Sequence, residues 1–288
     1  MSAEQATPWQ QGRGLLNEIH GSRPAAGAVA LWHIGQSGFV VKGGGVTLLF
    51  DPFLAPSSDR LRRTWEPPFR PEEISPDLVF CSHDHLDHLD PFTIQGIARA
   101  SPSTRFVLPE AAVTRVEALG VDRDRLDVAP VDETRQIGPA QVHAVPAAHG
   151  DTADPVAEYV WQPDPQRGYR FVGFVVEVNG VRLYHAGDTT VYPGMVERLA
   201  ALGVDVAMLP INGRDWFRER RGIIGNTDYR EAADLGHAIG ADVIVPMHYD
   251  MFAGNPGQPG WFVDYCLQQY PGQGFHVPIR CKRWLYLR

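Results

Sequence analysis

Leu78-Val79-Phe80-Cys81-Ser82-His83-Asp84-His85-Leu86-Asp87-His88-Leu89-Asp90-Pro91 passes from an apolar run into three histidines and two aspartates within six residues. Leu78–Cys81 reads as a buried strand. His83 and His85 are two apart, so in extended chain their imidazoles point the same way. Asp87 and His88 follow once the chain has begun to turn and face a second ion. Asp90 then reads as a helix N-cap, with Pro91 at the first helical position. The layout is strand, ligand loop, helix. Neutral imidazole and ionised carboxylate suit borderline divalent metals such as zinc and are accepted by harder ones such as manganese. The end of a buried strand is where α/β proteins place their sites.

Other segments repeat that context. Gln141–Val145 leads through Pro146 to His149, Val181–Tyr184 leads to His185 and Asp188, and Val243–Met247 leads to His248-Tyr249-Asp250. Each is an apolar, β-branched-rich run that stops at His or Asp beside Gly or Pro, the mark of a strand entering a turn. Four separate strand ends thus deliver ligand side chains to one edge of a packed core. For His33, His143, His185 and His237, packing or hydrogen bonding in support of a ligand is the expected role.

At 288 residues, 44% hydrophobic and 21% charged, the chain has the bulk properties of a soluble globular protein. No apolar stretch reaches the roughly 18–20 residues that span a bilayer, and no signal peptide opens the chain. Cys81, Cys266 and Cys281 are too few and too scattered for a disulfide framework, which fits a reducing cytoplasm. A net charge of −8 argues against nucleic acid as the substrate, since that partner calls for clustered Lys and Arg.

Short strands at Ala28–Ile34, Phe39–Val41 and Val46–Phe50 come first, followed by strand-helix alternation in both halves. Gly43-Gly44-Gly45 and Asn179-Gly180 mark two hairpins. Helices are expected at Pro91–Ala100, Ala111–Leu119, Pro193–Ala201, Tyr229–Ile239 and Phe262–Tyr270, with Asp228 or Thr227 capping the fourth. That order suits an α/β, four-layer αββα sandwich of two mixed sheets flanked by helices. Residues 28–288 would form one domain behind a partly flexible extension, 1–27, fraying from Met1 to about Gln11.

The ligand pattern resembles the metallo-β-lactamase superfamily, whose HxHxDH motif is matched by His83, His85, Asp87 and His88. The resemblance implies that His83, His85 and His149 hold a first metal and that Asp87, His88 and His248 hold a second, with Asp188 bridging both. Asp51, in Leu48-Leu49-Phe50-Asp51-Pro52, matches an early strand-end aspartate that supports the site. Leu31–Phe39, His185–Thr189 and Asn226–Asp228 with Val245–Asp250 look like the L-ascorbate-6-phosphate lactonase-like branch. This implies a sugar-lactone hydrolase using manganese or zinc, with iron a third candidate, cytoplasmic and homo-oligomeric, gripping phosphate with rim residues. Two departures favour a relative with its own substrate. Asp59–Glu73 is shorter than the matching excursion in those enzymes, and His149 stands where they lack a histidine.

Two cations sharing a bridging hydroxide would attack an electrophilic carbonyl or phosphorus without a serine or cysteine nucleophile. Asp87 would orient that hydroxide and pass its proton to the leaving oxygen, with Asp188 beside it as the second catalytic carboxylate. For a small-molecule substrate, Asn212 and Arg214 lie nearest a strand end, and Asn226, Tyr192 and Tyr249 adjoin ligand segments. Arg60, Arg62, Arg63, Trp65 and Phe69 sit in the Asp59–Glu73 excursion, which would lid the pocket. The competing readings are a phosphodiesterase similar to N-acylphosphatidylethanolamine phospholipase D and a metal-binding relative without catalysis.

Overall fold

The computed structural model describes residues 12–59, 61–150 and 159–288. The fraying expected of Met1 to about Gln11, and Arg60, lie outside them. Strands β1 (Ala28–Gly35), β2 (Gly38–Gly43), β3 (Val46–Phe50), β4 (Leu78–Phe80), β5 (Arg105–Leu108) and β6 (Leu126–Val128) fill the first half. β7 (Thr134–Ile137), β8 (Ala140–Pro146), β9 (Val172–Val178), β10 (Val181–His185), β11 (Val206–Pro210), β12 (Val243–Met247), β13 (Gly274–Phe275) and β14 (Arg283–Leu287) complete the set. The helices are α1 (Gly12–Gly21), α2 (Pro91–Ala100), α3 (Val113–Ala118), α4 (Met195–Leu202), α5 (Trp216–Glu219), α6 (Tyr229–Ala238) and α7 (Pro259–Gln269).

The strands form two seven-stranded mixed sheets, ordered β14-β1-β2-β3-β4-β5-β6 and β13-β12-β11-β10-β9-β8-β7. In each, antiparallel hairpins give way to parallel strands: β3, β4, β5 and β6 run parallel in one, β10, β11, β12 and β13 in the other. Period-two alternation divides the burial. From β1, Val29 and Leu31 join Val142, Phe174 and Leu183 between the sheets. Ala30, Trp32 and Ile34 face the other way, against Leu15 and Ile19 of α1 and Ile94 and Ile97 of α2. On the outer side of the second sheet, Met195, Ala232 and Phe262 bring α4, α6 and α7 into the core. The expected αββα layering is what the chain adopts.

Local chemistry accounts for the boundaries. Asp90 caps α2 by accepting from Phe92 N and Thr93 N. Asp228, not Thr227, caps α6, accepting from Arg230 N and Glu231 N in a capping box with Glu231. Asn179 and Gly180 both take left-handed φ, 53° and 81°, as a two-residue hairpin of this kind requires. The sequence reading omitted α1, α5, β6, β7, β13 and β14. It also began α4 at Pro193, whereas Gly194 at φ 84° delays the helix to Met195. No helix among the described residues is long and apolar enough to cross a membrane.

Because β3, β4, β8, β10 and β12 open at one edge, their following loops converge there. Asp51, the 82–90 loop, His149, the 186–190 turn and His248 all issue from these ends. The β1–β2 turn at Gly35-Gln36-Ser37 reaches the same edge.

Candidate metal centre

The ligand loop is seated by Asp51, the residue that ends β3. Asp51 takes φ 38° and accepts from Ser82 N at 2.7 Å, Ser82 Oγ at 2.6 Å and His88 Nδ1 at 2.6 Å. A carboxylate accepts only, so Nδ1 of His88 carries the proton and Nε2 turns inward with a free lone pair or a second proton. Ser82 Oγ also lies 3.0 Å from His83 Nδ1. Gly187, at φ 61°, lets the β10 turn close on this loop. A Cβ there would stand 2.6 Å from Ser82 Cβ, so the position needs glycine.

Three groups of donor atoms result, each with all its atoms within 4.8 Å of one another: His83, His85 and His149; His83, His88 and Asp188; Asp87, His88 and His248. Asp188 lies among them, with Oδ1 3.2 Å from His88 Nε2 and Oδ2 3.2 Å from His248 Nε2 and 3.6 Å from His149 Nε2. Asp87 Oδ2 is 3.6 Å from both His88 Nε2 and His248 Nε2. Phe171 backs the first group, its ring centroid 5.5 Å from His83 and 5.3 Å from His149. The sequence-predicted ligands from four strand ends therefore meet.

Electrostatics divides the imidazoles. Burial, reinforced by His88 and His85, holds His83 well below the ordinary histidine range, and burial pushes His149 down to about 3. Burial thus favours the neutral, ligating form of both rings. For His88 and His248 burial pulls the same way but is outweighed by Asp188 and Asp87, which lift His248 to about 9 and His88 well above its usual value. Burial would raise the carboxyl of Asp188, yet His248 and His88 hold it well below its usual range. The donor set fits a divalent cation on the structure's own terms. His83 Nε2, His85 Nε2, His88 Nε2 and Asp188 Oδ1 are buried and lack a hydrogen-bond partner, a cost that a shared cation removes.

A cavity of about 650 Å³ opens onto these groups, with His85, Asp87, His149, Asp188 and His248 in its wall. Leu86, Ile223, Ile224 and Phe252 supply apolar surface, and Arg62, Arg115 and Arg170 supply positive charge. Arg115 Nη1 donates to Asp84 O, and Arg170 Nε donates to Asp84 Oδ1 at 3.1 Å. The Asp59–Glu73 excursion contributes Leu61 and Arg62 to the wall. Its neighbour Arg63 is fastened below, donating through Nη1 to Phe53 O at 2.8 Å and Ala55 O at 3.0 Å.

The residues chosen from sequence for substrate contact lie off this wall. Arg214 is taken by Glu231 through bonds of 2.6 and 2.8 Å. Asn226 donates to Asn212 Oδ1 and Asn212 donates to Asn255 Oδ1, each at 3.1 Å. Tyr192 donates to Pro146 O and Tyr249 to Pro278 O. Their polar atoms brace backbone and one another. Among the expected supporting histidines, His185 Nε2 donates to Ser37 O at 2.8 Å and His33 Nε2 lies 3.1 Å from Gln36 O. Sequence reasoning gave no role to Gln36, Ser82, Arg115 or Arg170.

A two-sheet α/β sandwich with a histidine- and aspartate-lined edge over a cavity defines a metal-dependent hydrolase of the metallo-β-lactamase fold. Residues 47–249 match the family model described as the beta-lactamase superfamily domain, and the chain belongs to that superfamily. It is 30% identical over 220 residues to a UPF0173 metal-dependent hydrolase of Alkaliphilus metalliredigens (strain QYMF), covering 76% of this chain and 85% of the relative. Among solved structures it resembles Igni18, a metallo hydrolase from the hyperthermophilic archaeon Ignicoccus hospitalis, with TM-score 0.66, 21% identity and coverage of 90% of this chain and 98% of that one. An isothiocyanate hydrolase from Delia radicum gut bacteria superposes with TM-score 0.69, 16% identity and coverage of 90% and 99%. At these identities the structures speak for the fold.

Proposed function

We propose that the chain is a dinuclear hydrolase of a small lactone or related ester, a sugar lactone with or without phosphate being the substrate class. His83, His85 and His149 would hold one divalent cation and Asp87, His88 and His248 the other, with Asp188 serving both. Manganese or zinc suits this mixed nitrogen and oxygen set, and iron is compatible with it. The observation that carries the reading is the position of Asp188, whose two oxygens face histidines of different donor groups.

The cations, when bound, supply Lewis acidity and make water acidic enough to lose a proton near neutral pH. Asp87 borders the cavity, its carboxylate among the donor atoms beside His88 and His248. It takes that proton and passes it to the leaving oxygen as the acyl carbon–oxygen bond breaks and the new one forms. Arg115 and Arg170 orient a negatively charged group on the substrate, while Leu86, Ile223, Ile224 and Phe252 exclude water from its carbon skeleton. The resemblance of Leu31–Phe39 and Val245–Asp250 to the ascorbate-phosphate lactonases supports the lactone. The free, buried cysteines accord with a cytoplasmic setting.

The test is a panel of sugar lactones, with and without phosphate, read by acid release, alongside elemental analysis of the purified protein. The reading expects close to two equivalents of metal, and turnover that a chelator abolishes and added Mn or Zn restores. Turnover indifferent to the chelator, or a protein that retains no metal, rejects it.

A further inference from the structure

Gln36 has no part in the superfamily motif, yet its side chain ends inside the centre. It sits in the β1–β2 turn at φ 56°, a conformation that strains a residue with a Cβ, and only 2% of it is exposed. The turn is clamped on three sides. Gln36 O accepts from His248 N at 2.8 Å, His33 Nε2 lies 3.1 Å from the same oxygen, and Gln36 N donates to Asp250 Oδ1 at 3.1 Å. A strained residue so fixed has its side chain aimed by the surrounding structure.

The carboxamide nitrogen is 2.7 Å from Asp87 Oδ2 and 2.9 Å from His248 Nε2. A carboxylate can only accept, so the amide presents its nitrogen there and one of its hydrogens takes one of the oxygen's lone pairs. Asp87 and His248 are two of the three members of the Asp87, His88 and His248 donor group. His83 Nε2 and His85 Nε2 of the His83, His85 and His149 group have no hydrogen-bond partner, nor does Nε2 of His88, the third member of the second group. The amide thus holds a donor of the second group, and no such bond reaches the unpartnered nitrogens of the first.

We propose that Gln36 is a placeholder for the second cation: its carboxamide holds Asp87 in position and must release it before that cation enters. The proposal rests on the two-cation reading above. It makes loading ordered, with the His83, His85 and His149 group filling first. Displacing a hydrogen bond to a charged acceptor weakens the second step by about ten- to a hundredfold relative to a chain without it.

Metal-free full-length protein is titrated calorimetrically with Zn²⁺ alone, comparing wild type with Gln36→Asn and Gln36→Gly. Asparagine tolerates the left-handed turn and keeps the amide, but is one methylene too short to reach Asp87. Glycine relieves the turn and removes the amide altogether. Either variant suffices should the other fail to fold. The expected result is an unchanged first step and a second step about ten- to a hundredfold tighter. A second equivalent seen only in the variants supports the proposal equally. An unchanged second step beside two-equivalent binding overturns the proposal and leaves the two-cation reading standing, as does weakening of either step. At most one equivalent in all three proteins overturns both.

Discussion

His88 Nδ1 donates to Asp51 Oδ2 across 2.6 Å, with both side chains almost wholly buried. The bond fixes which nitrogen of His88 faces the donor cluster, and Asp51 is itself fixed by two bonds from Ser82. A residue outside the donor groups thereby controls the aim of one of their members. Asp51→Asn keeps the shape and the positive-φ backbone but removes the charge that orients the ring. Loss of such outer partners typically costs 10–100-fold in metal affinity, and that drop is expected in a Zn²⁺ titration. Wild-type affinity in the variant would show that His88 needs no orientation from Asp51.

His85→Ala and Asp188→Ala are expected to abolish hydrolysis while leaving the far-ultraviolet circular dichroism unchanged. Both side chains issue from loops at a sheet edge, and neither belongs to the two apolar clusters that hold the sheets and helices together. Asp188 faces His88, His149 and His248 at once, so its loss should reduce retained metal more than that of His85. Lactone turnover in both variants at more than a few per cent of wild type, measured by acid release, would remove these residues from the chemistry.

How far the sequence carries is visible in which residues it exposed. His83, His85, His149, Asp188 and His248 stood out because a ligand must be one of a few residue types and a strand end is a recognisable place. The sheets followed from short apolar runs such as Ala28–Ile34 and Leu78–Cys81, which become β1 and β4, strands whose residues are all covered. β14 was missed because it is an edge strand whose Arg283-Trp284-Leu285-Tyr286-Leu287 buries only Tyr286. Gln36 was invisible because an amide announces no chemistry until its neighbours are known. Arg115 and Arg170 reach the cavity wall beside Asp84 from 31 and 86 residues away, a nearness that spacing cannot show. Arg214 was overvalued for the opposite reason, since closeness to a strand end says nothing of Glu231 waiting in the first turn of α6.

Asp228 gives a check on folding that is independent of the metal. Its side chain accepts from two backbone amides of α6 and from Arg230. Burial would raise its carboxyl, but the Arg230 bond and the backbone bonds prevail and depress it. A depressed folded value means that the carboxylate adds stability above its unfolded pKa of about 3.9 and loses it as pH falls through the lower folded value. Asp228→Ala should cost about 1 kcal/mol at pH 7 in urea unfolding. That difference should hold between roughly pH 5 and 8 and shrink below about pH 4. An equal difference at pH 3.5 and pH 7 would mean that the cap acts without its charge.

Metal removal should lower the melting temperature, because buried donors that meet a cation in the folded chain are scattered in the unfolded one. A ligand at a hundred times its dissociation constant stabilises by about 2.7 kcal/mol. In a chain of this size each kcal/mol moves the midpoint by about 2–4 °C. Chelation followed by gel filtration should therefore lower the midpoint by about 5–10 °C, and added Mn²⁺ or Zn²⁺ should restore it. An unchanged midpoint in a protein shown to have lost metal would place the cation outside the buried cluster.

Arg115 and Arg214 separate the cavity wall from its surroundings. Arg115 lines the cavity beside Asp84, whereas Arg214 is bound to Glu231 and Asn226 O away from it. Arg115→Ala should raise KM for phosphorylated lactones by about tenfold, the worth of one charge-assisted contact, and move KM for neutral members far less. Arg214→Ala should leave both KM values near wild type and lower stability instead, through the released Glu231. The same substrate panel measures both variants. If Arg214→Ala raised KM selectively for the phosphorylated members and Arg115→Ala did not, the anion-binding face would lie toward α6 rather than beside Asp84.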